Sequence, residues 1–302
     1  RDLHLSIRRQ RQMCIRDRMI NVNALLYGNQ KNILLFNHCE HPVGIQLGGN
    51  DPIKLADSAV ISEAYGYDEV NLNIGCPSTK VQNGEFGAVL MKNPKLVAEC
   101  IKAITDKVRI PVSVKCRIGV DDMDEDKDLS SFIKVISDAG CKIFIIHARK
   151  AWLKGLSPKE NRNIPPIKYQ RVYRLKEEFP ELEIIVNGGL EKIEDSKKHL
   201  QFVDGVMMGR KAYEDPFQLI KVDHQIYGLP KLLKSKKDIL LEMIPYVMQQ
   251  KNSGEKIHLV CKHFMGLTKG AKFGKKIRSS LTKLNTFKEP EKKLIQIANQ
   301  LT

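Results

Sequence analysis

The chain has 302 residues, of which 42% are hydrophobic, and carries a formal charge of +15. That length holds one large or two ordinary domains. No apolar run approaches the ~18 residues of a membrane span, so a soluble protein is expected. The seven cysteines lie far apart with no C-x-x-C pair, which fits reduced cytosolic thiols better than a disulfide framework.

Residues 1–18 have no sustained period and six Arg against two Asp; they read as a non-native or disordered segment and are set aside from the fold. From Pro42 strand and helix alternate. Strands are expected at Pro42–Leu47, Glu69–Ile74, Val112–Arg117, Lys142–His147, Glu183–Val186 and Gly205–Met208. Helices are expected over Asp51–Tyr65, Pro94–Lys107, up to Ala139, Tyr169–Glu178, up to Leu200 and from about Asp215. The strands read as short apolar runs of the kind covered on both faces. Such alternation means a parallel sheet, either doubly wound or a (β/α)8 barrel. Every strand ends in a polar or glycine-rich residue (Gln46, Asn73, Lys115, His147, Asn187, Arg210), which favours the barrel, whose mouth gathers all strand ends. Residues 19–36 hold part of one more strand, and the first strand of the ring is expected to be missing. The barrel domain spans 19–228. After Pro230 the pattern turns to helices, with Ile239, Leu240, Met243 and Val247 on one face, Val260, Phe264 and Leu267 on a second, and Pro290 opening a third. Residues 229–302 therefore form an all-α domain.

Charge follows the same division. Residues 221–302 carry 17 Lys+Arg against 6 Asp+Glu, a net of +11, whereas residues 19–220 carry 27 of each sign. A neutral body with a basic C-terminal part is the layout of a catalytic unit joined to a polyanion-binding module.

The stretch Asn71–Met91 places Cys76 between Gly75 and Pro77 just past a strand, among Asn71, Asn73, Ser78, Gln82 and Asn83. A thiol there sits on a loop, where parallel α/β proteins hold their chemistry. The glycines of Asn187-Gly188-Gly189 and Gly209-Arg210 end the last two strands, where barrels bind phosphate through backbone N–H groups. Lys115 and His147, at interior strand ends, suit an anionic ring. The segment Arg149–Pro166 has five Lys/Arg, one Glu and the only Trp, Trp152, a composition fit for a nucleic-acid contact. The His38–His41 and His258–His263 clusters lack zinc-finger spacing, and no metal site is expected.

The runs N-L-N-x-G-C-P-S, V-x-V-K-x-R-I-G, F-I-I-H-A-R-K-A-W-L-x-G-L-S-P-K-E-N-R and N-G-G…D-G-V-M-x-G-R-x-A-Y, in that order over residues 19–278, resemble the tRNA-dihydrouridine synthases. The run from Phe144 to Arg162 resembles their A subgroup. The resemblance implies a flavoprotein with FMN, NADPH as reductant, and reduction of the uridine C5–C6 double bond at D-loop positions 20 and 20a of tRNA. It implies that Gln46, Lys115, His147, Asn187, Gly188, Gly189, Gly209 and Arg210 bind FMN and that Cys76 is the proton donor. It further implies that Asn73, Lys159, Arg162, Lys272 and Lys275 contact tRNA. A cytoplasmic monomer is expected. The family's Ala-Pro-Met loop at the first strand end has no counterpart in these residues, so an incomplete flavin wall is expected. The alternatives are a barrel flavoenzyme acting on a free pyrimidine, which needs neither the basic tail nor the Trp152 loop, and a flavin-less tRNA-binding remnant.

Overall fold

The computed structural model describes residues 19–301; the expectation for residues 1–18 falls outside them. The chain divides into two compact units, one running through residue 190 with 195–208, the other comprising 191–194 and 209–302.

The first unit holds seven strands: β1 (Ile20–Asn21), β2 (Gly44–Gly48), β3 (Glu69–Ile74), β4 (Val112–Arg117), β5 (Ile143–His147), β6 (Glu183–Asn187) and β7 (Gly205–Met207). They lie side by side in chain order, every neighbouring pair parallel. This order decides between the two architectures. A doubly wound sheet reverses direction at a switch point. Here the order never reverses, so right-handed crossovers put all helices on one side. The other side is nevertheless buried: Glu69, Asn71, Ser113, Ile145 and Ile185 have 1% exposure or less. A sheet covered by helices on one face and by itself on the other is curled into a (β/α)8 barrel, and seven strands of such a ring lie among the described residues.

Each strand alternates between the two faces, as side chains in a strand must. Val70, Leu72, Ile74, Val114, Cys116, Phe144, Ile146, Ile184 and Val186 point outward into the core beneath the helices. Inward lie Glu69, Asn71 and Asn73 on β3, then Ser113, Lys115 and Arg117 on β4. Ile145, Ile185 and Met207 make a separate apolar cluster on the inner side of β5–β7. The strands read as uniformly apolar are thus two-faced, with a polar inner half on β2–β4.

Helix starts follow local chemistry. Asp51 accepts from the backbone N–H groups of Ile53 and Lys54 and Pro52 occupies the first turn, so a helix runs over Pro52–Ala64. Asn93 and Pro94 do the same for Pro94–Thr105. The expected helix from about Asp215 begins earlier. Gly209 caps a short helix Arg210–Glu214, Asp215 ends it, and a 3-10 segment Pro216–Lys221 follows.

The second unit is helical. Ser235 and Asp238 cap the helix Lys236–Asn252 reciprocally, and Leu240, Ile244 and Val247 face its core. Phe264, Leu267, Leu294, Ile297 and Leu301 join that core. A helix over Gly274–Thr282, unforeseen in the sequence, buries Ile277 and Leu281 and turns Lys275, Lys276 and Arg278 outward. Among the described residues no helix is long and apolar enough to cross a membrane.

Candidate active site

Cys76 is half-buried and reduced, on the loop that leaves β3. Asn73, at the strand end, fixes this loop: its Oδ1 accepts the backbone N–H groups of Gly75 and Cys76 at 3.1 and 3.0 Å. Ser78 Oγ lies 3.5 Å from the sulfur. Gly87 closes the loop from behind. Its φ is +75°, and a Cβ there would stand 2.6 Å from the Cys76 carbonyl oxygen and 2.4 Å from Val81, so only glycine fits.

Behind the loop a directional chain of hydrogen bonds crosses the inner face. Asn73 Nδ2 donates to Gln46 Oε1, Gln46 Nε2 to Asn71 Oδ1, Asn71 Nδ2 to Ser113 Oγ, and Ser113 Oγ to the Glu69 carboxylate. Each amide donates onward and accepts from behind, and the series ends on a buried carboxylate, which can only accept. Satisfied in this way, a buried polar network fixes one arrangement. Register puts the participants in place: Gln46, Asn71 and Ser113 are partners on successive strands, as are Asn73 and Lys115.

One layer toward the mouth, Arg117, His147, Asn187 and Met207 are partners on β4, β5, β6 and β7. Lys115 Nζ donates to Asn187 Oδ1 at 3.0 Å, and Asn187 Nδ2 donates to the Met207 carbonyl at 2.7 Å. Gly188, at φ +106°, brings its backbone against the His147 ring; a Cβ would stand 2.5 Å from that ring. Tyr169 braces the turn by donating to the Gly188 carbonyl at 2.7 Å. The structure therefore brings together Gln46, Asn73, Lys115, His147, Asn187 and Gly188 at one end of one sheet, with Cys76 on the adjoining loop. Gly209 and Arg210 open the second unit. Gly209 has φ −98° and open space where a Cβ would stand, so neither backbone nor neighbours demand glycine there.

Lys159 and Arg162 flank a 3-10 turn on the β5 loop and are exposed, as is Trp152 beneath the Lys150 ammonium. Asn161, fully buried, organises that loop: its Oδ1 accepts from Trp152 N–H at 2.7 Å while Nδ2 donates to the carbonyls of Trp152 and Leu156. Lys272 and Lys275 are exposed on the second unit. Three carboxylates of the acidic loop 121–128 between β4 and its helix are paired with nearby cations. Asp121 pairs with Lys92, Glu125 with Lys168, and Asp126 with Arg171 and Arg174. Burial alone would raise the Asp121 carboxyl; hydrogen bonds from Lys92 and the Leu153 N–H outweigh it and hold it below the ordinary range.

Arg117 went unassigned in the sequence. Only 3% exposed, it donates to three backbone carbonyls, Gly75 (3.2 Å), Lys150 (3.3 Å) and Asn161 (2.9 Å). Its position two residues after Lys115 was the available signal, because that spacing puts both on one face.

This combination, a barrel whose inner mouth carries amides, a lysine and a histidine beside a loop thiol, agrees with what the chain matches. The family model described as dihydrouridine synthase (Dus) matches residues 4–302, and the chain belongs to that family. Among individual proteins, it is 47% identical over 269 residues to the tRNA-dihydrouridine(20/20a) synthase of Synechocystis sp. (strain ATCC 27184 / PCC 6803 / Kazusa), covering 88% of this chain and 80% of that protein. It is 49% identical over 250 residues to the enzyme of the same name from Vibrio vulnificus (strain CMCP6), covering 82% and 76%. With that from Escherichia coli (strain K12) it shares 49% over 253 residues, covering 83% and 73%.

Proposed function

We propose that this chain reduces the C5–C6 double bond of uridines 20 and 20a in the tRNA D-loop, with FMN as bound cofactor and NADPH as reductant. The observation that carries the reading is the loop thiol of Cys76, pinned by Asn73 at the strand-end face where Lys115 meets Asn187 beside His147. The residues fit a flavin. Lys115 and His147 offer donors to an anionic ring, Gln46 an amide, and Gly188-Gly189 backbone N–H groups to a phosphate.

A flavin held by these residues would be the source of hydride for uracil C6. Cys76 completes the reduction: its S–H bond breaks, a C5–H bond forms, and the sulfur keeps the electron pair until solvent reprotonates it. Asn73 fixes the loop's backbone and so aims the sulfur. Lys115 stabilises the reduced ring by its charge. The target base must leave its stack to reach this depth. On the first unit Trp152, Lys159 and Arg162 contact the RNA, the two cations on its phosphates, and on the second unit Lys272 and Lys275 each offer a phosphate contact of their own, which makes binding fall steeply with salt. On this reading the chain works as a cytoplasmic monomer.

The test is to purify the full chain, measure FMN per molecule by absorbance, and map dihydrouridine by mass spectrometry in tRNA from cells lacking the enzyme. The reading expects stoichiometric FMN and dihydrouridine at positions 20 and 20a. Salt-sensitive tRNA binding without flavin would replace it with the remnant reading.

A further inference from the structure

The proposed chemistry leaves two side chains of the first unit without a role, and both join the Cys76 loop to the β5 loop. Gln82 Nε2 donates to the Pro77 carbonyl at 2.8 Å and to the Leu153 carbonyl at 3.0 Å, so both its amide hydrogens are engaged, one on each loop. Arg117 does the same from below, reaching Gly75 on one side and Lys150 and Asn161 on the other. Among the described residues no carboxylate pairs with this guanidinium. Its acceptors are backbone carbonyls, whose only output is position.

The loops so joined are themselves stiff. Asn161 holds 152–157 from within. Ala151 forms a parallel bridge with Val120, and Leu153 N–H donates to Asp121, which anchors the β5 loop to the loop after β4. The outward side of 152–162 carries the exposed Trp152, Lys154, Lys159 and Arg162. One rigid segment therefore has a basic, aromatic outer face and an inner edge bonded to the residues on both sides of Cys76.

We propose that Gln82 and Arg117 form a brace through which the β5 loop sets the position of the Cys76 sulfur, making them positioning residues for proton delivery to an RNA base. The proposal rests on the functional reading above. Burial, with Arg162 and Arg149 nearby, lowers the Arg117 pKa to about 10, against the opposing pull of Cys76; the group remains a cation at neutral pH, able to donate from every nitrogen. Removing it takes the donor from three carbonyls, and removing Gln82 takes it from two. The loops then part by the small displacement to which proton transfer is most sensitive.

The experiment compares wild type with Gln82→Leu, Arg117→Lys and the double variant, all as full-length holoprotein. Hydrogen–deuterium exchange is followed over 75–83 and 150–162, and stopped-flow absorbance separates flavin reduction by NADPH from flavin re-oxidation by tRNA. Gln82→Leu is expected to speed exchange in both segments together. It is expected to leave FMN content and the NADPH step within about twofold and to slow the tRNA step about tenfold, tRNA affinity changing less than about threefold. The double variant is expected to lose less than the product of the two single losses, since both remove one brace. Faster exchange in one segment only, or equal slowing of the NADPH and tRNA steps, overturns the proposal. If Arg117→Lys does not fold, Gln82→Leu alone decides. If wild type forms no dihydrouridine, the functional reading falls and the positioning role falls with it; the wild-type measurement tells this apart from a failed brace.

Discussion

The two faces of the barrel sheet are made by the same strands and are about equally dry, yet they have opposite chemistry. On β3 and β4 the outward set is Val70, Leu72, Ile74, Val112, Val114 and Cys116; the inward set is Glu69, Asn71, Asn73, Ser113, Lys115 and Arg117. Burial alone thus fails to mark the hydrophobic core. The outward set gains stability by leaving water. The inward set incurs a desolvation cost that its hydrogen bonds only offset, and what it gains is a fixed array of donors at the mouth. One face stabilises the fold and the other positions groups.

Three substitutions test that division, in falling order of effect. Cys76→Ala is expected to cut dihydrouridine formation by about 10²–10⁴-fold, the usual contribution of a general acid, with the melting temperature and FMN content unchanged; mass spectrometry of tRNA from complemented cells reads it, and unchanged turnover would remove Cys76 from the role of acid. Leu72→Ala, on the outward face one residue before Asn73, is expected to cost about 2–5 kcal/mol in urea unfolding while the folded fraction still binds FMN stoichiometrically. Lys115→Met should weigh on the site instead. Flavin affinity is expected to drop about 10–100-fold, the worth of a charged hydrogen bond, while stability falls by less than for Leu72→Ala, about 1–3 kcal/mol for an Asn187 Oδ1 left without its donor. If Lys115→Met unfolds the chain, or Leu72→Ala empties the flavin site of folded protein, the faces are not separable as described.

The smallest effect is a pH dependence away from both faces. His199 accepts or donates with Tyr173 Oη at 2.5 Å and packs on the Tyr169 ring. Burial lowers its pKa, with Lys198 adding to the fall and Asp195 opposing it. The folded state then takes up its proton at lower pH than the unfolded state. Stability is therefore full above the ordinary histidine value of about 6.5, declines as pH falls through it, and levels off below the folded value. His199→Gln is expected to flatten that part of the stability–pH curve, and an unaltered slope would assign it to other groups.

Much of this was legible beforehand because local chemistry decided it. The bounds of β3, β4 and the Tyr169–Glu178 helix follow from period and flanking turns, and Pro94 and Pro290 mark helix starts that the structure keeps. The barrel followed from polar strand ends. What escaped depended on who faces whom. Reading Glu69–Ile74 as an apolar run overlooked that Glu69, Asn71 and Asn73 share a face, because a strand two-faced inside a protein looks unlike either a surface or a core strand. The Gly274–Thr282 helix was hidden by its lysines, though Ile277 and Leu281 sit four apart. Gln82 stood out only as one of the polar residues around Cys76, because its bond to the Leu153 carbonyl is set by tertiary approach alone, and Asn161 was hidden because its partners are backbone groups of its own loop.

Consecutive strand order has a practical corollary. A barrel is commonly treated as a scaffold on which each connecting segment can be exchanged independently. Here 149–162 could not be transplanted into a foreign barrel by itself, because its seat includes side chains from two other places in the chain, Gln82 and Arg117. Anyone redirecting this protein toward a different nucleic acid would have to graft the three as a set, and variants recombined between relatives at breakpoints separating them would arrive with a mismatched seat.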